Sequence, residues 1–252
     1  MRDFASRVMN SNGTCIFSTG QAGYIIKSKS GQLLAIDLYL SECVERIEGN
    51  KGFKRLLPQI LSPTDLEFDV AICTHPHMDH FDIDAVPQMV AKGAKLMCSK
   101  ECNKLIKQLE MEYYNEQITY VKPGDAYNVG DFDISFVNCD HGEGAPDAVG
   151  VVVKVDGNTI YEAGDTCLRL DIKDEITGTL DVLVAPINGM YGNMDSKDVV
   201  ELAKALKPHV TIPCHYGMFA SHGGDLKQFY DLMTEEKMPF LIMQQGEKYK
   251  LL

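Results

Sequence analysis

Tryptophan is absent from this chain of 252 residues, and arginine is scarce: only five of the 24 basic residues are arginine. The basic residues face 36 acidic ones, so the formal net charge is −12. A protein this acidic repels a phosphate backbone. Nucleic acid is therefore excluded as a partner unless a local basic patch overrides the net charge.

Long apolar stretches are missing as well. The longest runs, such as residues 182–187, fall far short of the roughly 20 apolar residues that a membrane-spanning helix needs. Residues 1–13 contain no apolar segment of the kind that forms the core of a signal peptide. We therefore expect a cytoplasmic protein that has no membrane partner.

The eight cysteines include no CxxC pair. A chain of this length can build a hydrophobic core without disulfide bonds, so reduced and mostly buried thiols are expected. Four of the cysteines stand close to candidate site residues, at positions 73, 139, 167 and 214. There a buried apolar thiol is a better interpretation than a thiolate ligand.

No linker, low-complexity segment or repeat divides the chain, so residues 1–252 are expected to form one domain. Short β-prone runs open the sequence, and segments typical of strands and helices alternate after them. This pattern predicts sheets covered by helices on their outer faces, an α/β or α+β fold in four layers. Helices are expected over 53–61 and over 196–206, the second capped by Asp195, and the last strand over 240–243.

The segment His75-Pro-His77-Met-Asp79-His80 follows an apolar run, residues 68–74, that predicts a buried strand. With seven histidines in the whole chain, such a cluster is improbable by chance. In an extended segment His75 and His77 point to the same side and can chelate one ion. Asp79 and His80, where the chain turns, can face a second position. Imidazole and carboxylate ligands suit Zn²⁺ and also permit Fe or Mn.

This H-x-H-x-D-H loop resembles the hallmark of the metallo-β-lactamase fold hydrolases, and the resemblance extends over most of the chain. Further motifs occur in the order expected for that family. They are Asp37 after the opening strands, Asp140-His141-Gly142, Gly164-Asp165-Thr166 and Ile212-Pro-Cys-His215. The resemblance implies an α+β fold, a four-layer αββα sandwich in a single domain.

Within that superfamily the sequence most resembles the L-ascorbate-6-phosphate lactonase-like group. The segments that carry this resemblance are residues 121–125 (VKPGD), 161–165 (YEAGD), 192–195 (GNMD) and 212–219 (IPCHYGMF). The chain is much shorter than the sugar-phosphate lactonase itself and differs from it around His141. The resemblance therefore leaves the substrate open.

The family pattern implies two metal positions with a shared ligand. One position takes His75, His77 and His141, the other takes Asp79, His80 and His215, and Asp165 bridges them. Two cations about 3.5–4 Å apart need such a carboxylate to offset their repulsion, and they share a water that ionises near neutral pH. We expect two divalent ions per chain, Zn²⁺ or Mn²⁺, with Fe²⁺ as an alternative.

Other residues are weaker candidates. Tyr216 follows a predicted ligand and can contact a developing oxyanion, although aromatic packing is an equally good interpretation. Asn188, Tyr191 and Asn193 follow a predicted strand and are candidates for the substrate pocket, with an ordinary turn as the alternative. His222 is predicted to lie in a surface loop.

Arg169 and Lys197 are the basic residues expected closest to the site. A phosphorylated substrate would need a cationic group there. If the substrate is neutral, both are surface charges.

Together these residues predict a metal-dependent hydrolase in which a metal-bound hydroxide attacks a small ester. A lactone is the favoured substrate, sugar-phosphate lactones included, and Asp79, Asp165 and Tyr216 are the expected catalytic residues. The alternative is a phosphodiesterase that acts on a small phosphodiester. A di-iron redox protein is disfavoured, because the oxygen-reducing relatives carry Glu where His77 stands. The expected partner is a small molecule, and relatives of this kind often form homo-oligomers.

Overall fold

The computed structural model describes residues 2–251, which contain thirteen strands and six α-helices. The strands are β1 Cys15–Gly20, β2 Gly23–Lys27, β3 Leu33–Ile36, β4 Val70–Cys73, β5 Lys95–Ser99, β6 Ile118–Val121, β7 Ala126–Val129, β8 Phe132–Asn138, β9 Val149–Val155, β10 Asn158–Glu162, β11 Val182–Pro186, β12 Val210–Cys214 and β13 Lys248–Lys250. The helices are α1 Arg2–Asn10, α2 Cys43–Glu48, α3 Val86–Ala91, α4 Asn103–Gln108, α5 Ser196–Leu206 and α6 Leu226–Glu235. No helix in the described part of the chain is long and apolar enough to cross a membrane.

The strands form two mixed sheets. The first has seven strands in the order β13-β1-β2-β3-β4-β5-β6, and the second has six in the order β12-β11-β10-β9-β8-β7. Strands β3 to β6 are parallel, as are β10 to β12, and the remaining neighbours are antiparallel. Each sheet therefore combines antiparallel strands with a parallel part built by crossovers.

The central strands of both sheets carry apolar side chains on both faces, so each sheet packs against the other sheet on one face and against helices on the opposite face. In β9, Val151 and Val153 lie between the sheets, whereas Val152 packs on the outer face with residues of α5 and α6. On the other sheet, α1, α3 and α4 cover the outer face, with Val8 and Ile106 among the buried contacts. This arrangement confirms the predicted four-layer αββα sandwich.

The helix predicted over 53–61 is absent, and that prediction was wrong. Tertiary hydrogen bonds hold this segment in an irregular path: Leu56 N donates to Met218 O (2.8 Å), and the Arg55 guanidinium donates to three backbone carbonyls. Pro58 has no N–H for a helical hydrogen bond. The helix of this region is α2, which lies earlier in the chain.

The last strand was also placed wrongly. Within residues 240–243 only Phe240 forms a β-bridge, with Thr211. The chain instead ends in β13, which pairs with β1 through residues 248–250. The charged sequence Lys-Tyr-Lys gives no apolar alternation that would indicate a strand.

Helix α5 has the predicted bounds and the predicted cap. The Asp195 carboxylate accepts hydrogen bonds from Lys197 N (2.8 Å) and Asp198 N (3.0 Å), and the Asp198 carboxylate accepts one from Asp195 N. This reciprocal arrangement is a capping box, which satisfies backbone donors that have no partner within the helix.

Replacing Asp195 with alanine is expected to lower the free energy of unfolding by about 1 kcal/mol, because the first turn of α5 loses its side-chain acceptor. Urea denaturation measures the loss. Asp225→Ala is the matched control at α6, where the cap accepts one hydrogen bond, from Gln228 N. Because the Asp225 cap accepts fewer hydrogen bonds, Asp225→Ala should lower the free energy of unfolding less than Asp195→Ala does. A larger loss for Asp225→Ala would contradict this expectation.

Candidate metal centre

The candidate site lies at one edge of the sandwich, where several strands of both sheets end. The histidine-rich loop follows β4, and Asp37 follows the neighbouring strand β3. Asp37 joins the two loops, since its carboxylate accepts hydrogen bonds from Thr74 N (2.8 Å) and Thr74 Oγ1 (2.6 Å). In the second sheet Asp165 follows β10 and His215 follows β12. Loops after parallel strands thus deliver the side chains to one place.

Three histidines form the first group. His77 Nδ1 lies 2.9 Å from His75 Nε2 and 3.1 Å from His141 Nε2. A tetrahedral Zn²⁺ with ligand bonds of about 2.0–2.1 Å holds its nitrogens at a similar separation. Burial lowers the pKa of His75 well below its usual range and that of His141 to about 4. Both rings are therefore neutral at pH 7, in the form that binds a cation.

The second group consists of Asp79, His80 and His215. The Nε2 atoms of the two histidines are 3.1 Å apart, and Asp79 Oδ2 lies 3.8 Å from the first and 3.7 Å from the second. These ligand atoms are close enough to share one ion. The structure therefore brings together the three residues that the sequence assigns to the second position.

Asp165 lies between the two groups. Its Oδ1 is 2.9 Å from His215 Nε2 and 3.5 Å from His80 Nε2, and its Oδ2 is 3.7 Å from His141 Nε2. Burial favours the protonated acid, but His215 and His80 outweigh it and hold the pKa of Asp165 well below its usual range. An ionised carboxylate with one oxygen toward each group has the position that the predicted bridge requires.

Gly164 allows this placement of Asp165. Its φ is +65°, and a Cβ atom at this position would lie 2.9 Å from the carbonyl oxygen of Val149. A larger residue at position 164 would push the segment of Gly164 away from the backbone of Val149. The Gly164 N–H donates to Glu162 (3.1 Å), a carboxyl whose pKa burial and the nearby Asp37 raise well above its usual range. No sequence pattern indicates that Glu162 is buried beneath the site.

Asp37 also orients His80. The Asp37 Oδ2 atom lies 2.7 Å from His80 Nδ1, and both side chains are fully buried. This contact keeps the proton on Nδ1 and leaves Nε2 directed at the cluster, as outer partners of metal-binding histidines do. Burial lowers the pKa of His80, but Asp165, Asp37 and Asp79 outweigh it and raise the pKa well above its usual range. The carboxylates that hold a proton there also attract a cation.

His141 is positioned by bonds between its own loop and the loop of Asp165. Asp140 N donates to Thr166 Oγ1 (3.0 Å), and Cys167 N donates to Asp140 O (2.9 Å). These two contacts fasten the segment before His141 to the residues after Asp165. The site thus fixes its third histidine through backbone contacts that sequence spacing does not reveal.

The backbone around the site is strained. Five residues other than glycine adopt positive φ there: Gln21 (56°), Asp37 (48°), Tyr191 (56°), His215 (62°) and His222 (67°). Such conformations persist only where the surrounding structure enforces them, and they concentrate at functional sites.

A cavity of about 270 Å³ lies over the cluster. Its floor contains His77, Asp79, His141, Asp165 and His215. Its walls are Gln21, Val44, Glu48, Phe53, Met78, Asn188, Tyr191, Phe219 and His222. His77 is the one of the five clustered histidines that is exposed, and it opens onto this cavity.

The weaker candidates separate into two sets. Asn188 and Tyr191 line the cavity, as the sequence predicted, and Asn193 supports Asn188 through a hydrogen bond of 3.1 Å without lining the cavity itself. Tyr216 was placed wrongly. Its hydroxyl donates to Met243 O (2.5 Å), and its side chain lines a neighbouring cavity. It is therefore not positioned to contact an oxyanion at the cluster.

The expectation of a basic residue at the site was also wrong. Arg169 pairs with Asp171, and Lys197 is exposed on α5. Among the residues that the structure describes, no lysine or arginine lines the cavity. Lys51 comes near its rim but is paired with the lining residue Glu48.

Sequence reasoning missed Gln21 and Phe53 and assigned His222 to the surface. Gln21 Nε2 donates to Asp79 Oδ2 (2.9 Å) and lies 3.0 Å from His215 Nδ1. Gln21 stands in the turn between β1 and β2, flanked by glycines at 20 and 23. That turn is the one signal that could have marked it.

The cysteines are free, as predicted, and six of the eight are buried. Burial raises the pKa of Cys43 to about 12, so at pH 8 its thiolate fraction is about one in ten thousand. Cys139 is partly exposed but more buried than Cys167, and it donates its thiol hydrogen to Asp165 O (3.0 Å). Cys167 is the more accessible of the two partly exposed thiols.

Cys167 is therefore expected to react first with a disulfide reagent such as DTNB in the native protein at pH 8. One thiol per chain should react rapidly and the others slowly. Cys167→Ser should remove the rapid phase, whereas Cys15→Ser should leave it. A rapid phase that survives Cys167→Ser would disprove the assignment.

Comparisons with known proteins identify the family of this chain. Residues 15–215 match the family model described as the beta-lactamase superfamily domain. The chain therefore belongs to the β-lactamase superfamily, as a metal-dependent hydrolase of the metallo-β-lactamase fold.

Among its relatives is the UPF0173 metal-dependent hydrolase of Thermococcus kodakarensis, 30% identical over 229 residues that cover 84% of this chain and 98% of the relative. A UPF0173 metal-dependent hydrolase of Pyrococcus abyssi is 28% identical over 231 residues, with the same two coverages. Igni18, a metallo hydrolase from Ignicoccus hospitalis, has a similar structure, with a TM-score of 0.71 and 22% identity over 95% of this chain and 99% of the other.

Proposed function

We propose that this protein hydrolyses a small uncharged ester, preferably a lactone, with the help of two bound divalent metal ions. One observation carries the proposal: five imidazoles and two carboxylates form one cluster, and three of those imidazoles and both carboxylates line the floor of a cavity that is accessible to a small molecule. Buried charged and polar groups concentrated in this way are costly unless they bind an ion.

The residues fit a pair of metal ions. Nitrogen separations near 3 Å, a buried and ionised Asp165 between two groups, and imidazole donors suit Zn²⁺ or Mn²⁺, with Fe²⁺ as an alternative. His75, His77 and His141 would hold one ion, Asp79, His80 and His215 would hold the other, and Asp165 lies where it could serve both. When bound, the metals supply a Lewis acid for the carbonyl oxygen and lower the pKa of a water.

The chain's own residues would then orient the reactants. The Asp79 carboxylate is partly exposed to the cavity and is held by the Gln21 amide, so it can accept a hydrogen bond from the attacking water. Asp165 retains the negative charge that keeps two cations close together. The apolar part of the walls, formed by Val44, Phe53, Met78 and Phe219, would help to place the ester carbonyl over the floor.

The charges around the cavity decide between substrate classes. A sugar-phosphate lactone carries an anionic group away from the reacting carbonyl, and the described lining offers it no lysine or arginine. The same feature does not count against a phosphodiester, the alternative suggested by the sequence, because the single negative charge of that substrate lies on the reacting phosphate, where bound metal ions would offset it. An uncharged lactone needs no such partner, so it agrees better with this lining than a sugar-phosphate lactone does.

Elemental analysis paired with a rate assay tests the proposal. We expect about two metal ions per chain and a lactonase activity that falls at least about a hundredfold on chelation and returns with Zn²⁺ or Mn²⁺. δ-Valerolactone should outperform glucono-δ-lactone 6-phosphate and bis(p-nitrophenyl) phosphate. Turnover of the phosphodiester alone would overturn the choice of bond. Less than one metal per chain, unrestored by added metal, would overturn the proposal of a working hydrolase.

A further inference from the structure

Three aromatic rings form a continuous surface at one side of the cavity. Phe53, Tyr191 and His222, here called the aromatic wall, come from three separate loops. The rings of Phe53 and His222 are stacked, with centroids 4.5 Å apart at 29°, and the Tyr191 ring lies 6.1 Å from Phe53 and 5.4 Å from His222. All three side chains line the cavity.

Hydrogen bonds hold the aromatic wall in place. His222 Nε2 lies 3.0 Å from the carbonyl oxygen of Lys51, so this nitrogen carries the proton and donates it. The other ring nitrogen, Nδ1, lies 3.2 Å from the Tyr191 hydroxyl, within hydrogen-bond distance. Ser221 adds two bonds to Gly52 O, from its amide (3.2 Å) and its hydroxyl (2.9 Å). The loop of His222 is thereby fastened to the segment that carries Phe53.

The aromatic wall is supported from behind but open toward the cavity. Phe219 packs edge-on against Phe53, with centroids 5.4 Å apart at 83°. Tyr191 remains 57% exposed. A large aromatic side chain that is fixed in orientation and left partly uncovered beside a candidate reaction centre provides contact area for a ligand.

Charges complete the description of the ligand. The carboxylates Asp79 and Asp165 lie on the cavity floor, and the Glu48 carboxylate on the wall is paired with Lys51 at the rim. No lysine or arginine among the described lining residues would bind an anionic substituent of a ring stacked on the aromatic wall. A flat and uncharged group is the ligand that such a surface accommodates.

We propose that the aromatic wall determines specificity and selects substrates in which the reacting ester is attached or fused to a flat, uncharged ring, such as an aryl-fused lactone. The choice of ester as the reacting bond rests on the proposed function, whereas binding of the ring does not. Phe53 and Tyr191 contact the ring, and His222 positions Tyr191.

Binding is measured first, without turnover. Because the chain has no tryptophan, Tyr191→Trp introduces a single tryptophan, which can be excited selectively over the remaining tyrosines and keeps an aromatic face on the wall. The metal-loaded variant is titrated with 3,4-dihydro-2-quinolinone, an uncharged aryl-fused lactam, and with 2-piperidinone, which has the same lactam ring and no aryl group. Phe53→Ala in this background should weaken quinolinone binding about three- to tenfold and leave piperidinone binding unchanged.

Tyr113→Ala is the matched control, because Tyr113 is 91% exposed and lies outside the cavity lining. It should leave both affinities unchanged. Equal losses for the two lactams in Phe53→Ala, or no loss for either, would overturn the proposal. A quinolinone that carries a carboxylate on its aryl ring should bind more weakly than the uncharged one, and tighter binding would also overturn it.

Kinetics then separate this proposal from the proposed function. In the otherwise unmodified protein, Phe53→Ala should lower kcat/KM for dihydrocoumarin about three- to tenfold more than for δ-valerolactone, mainly through KM. If both lactones are hydrolysed and Phe53→Ala leaves their ratio unchanged, the aromatic wall does not select the substrate although the hydrolase proposal stands. If neither lactone is hydrolysed while the lactam titrations give the expected difference, the choice of bond fails and the wall's selectivity stands.

Discussion

Replacing Asp165 with asparagine is expected to lower lactone hydrolysis by about a thousandfold or more and to reduce the bound metal to one ion per chain or fewer. Asparagine keeps the shape of the side chain and removes its negative charge. That charge lies 2.9 Å from His215 and 3.7 Å from His141, between the two groups of ligands. Without it two cations held close together would repel each other with nothing between them to offset the repulsion.

Metal content and initial rates of the purified variant measure both effects. Asp171→Asn provides the control, because Asp171 is close in sequence and exposed, and it pairs with Arg169 outside the cavity. Its metal content and rate should match those of the unmodified protein. Wild-type turnover by Asp165→Asn would show that Asp165 does not bridge two ions.

Replacing Asp37 with alanine should have the second-largest effect, on stability and metal affinity together. Asp37 is fully buried and accepts hydrogen bonds from Thr74 N and Thr74 Oγ1, besides its contact with His80 Nδ1. Leaving these donors buried without a partner should lower the free energy of unfolding by about 3 kcal/mol. Metal affinity should fall by about 10- to 100-fold, because His80 is no longer oriented.

Urea denaturation of the chelated protein isolates the stability effect, and metal titration of the folded variant measures the affinity. Asp69→Ala is the matched control. The Asp69 carboxylate accepts a hydrogen bond from Leu33 N (2.8 Å) at the first residue of β3, whereas Asp37 lies directly after the last residue of the same strand. Asp69→Ala should lower stability without changing metal affinity. If Asp37→Ala loses stability yet binds metal normally, Asp37 supports the fold alone.

The sequence predicted most of the cluster because ligand chemistry is local there. His75 to His80 stand in one short loop after a buried apolar strand, and Asp165 and His215 each follow another. Apolar strands that end in histidine or aspartate indicate both the sheet and its functional edge. The four layers were predictable for the same reason, since the strands and α5 have clear periodicity and caps.

The aromatic wall could not be predicted in this way. Phe53 and His222 are far apart in the chain and meet because the Ser221 and His222 side chains bind backbone carbonyls of residues 51 and 52, contacts that no local sequence pattern indicates. The irregular path near Phe53 also explains the wrong helix there, because tertiary contacts of Arg55 override local propensity. Arg169 was misplaced since proximity to Asp165 in sequence does not determine where a long side chain points.

The position of the cluster between the two sheets has a mechanical consequence. His80 belongs to a loop of the first sheet, while Asp165 and His215 belong to loops of the second, and these three side chains lie within 3.5 Å of one another. An ion bound there would cross-link the halves of the sandwich at their open edge. At a free concentration a hundredfold above its dissociation constant, each ion would add about 2.7 kcal/mol to stability. The metal centre would thus also stabilise the contact between the two sheets, and loss of metal would weaken that contact.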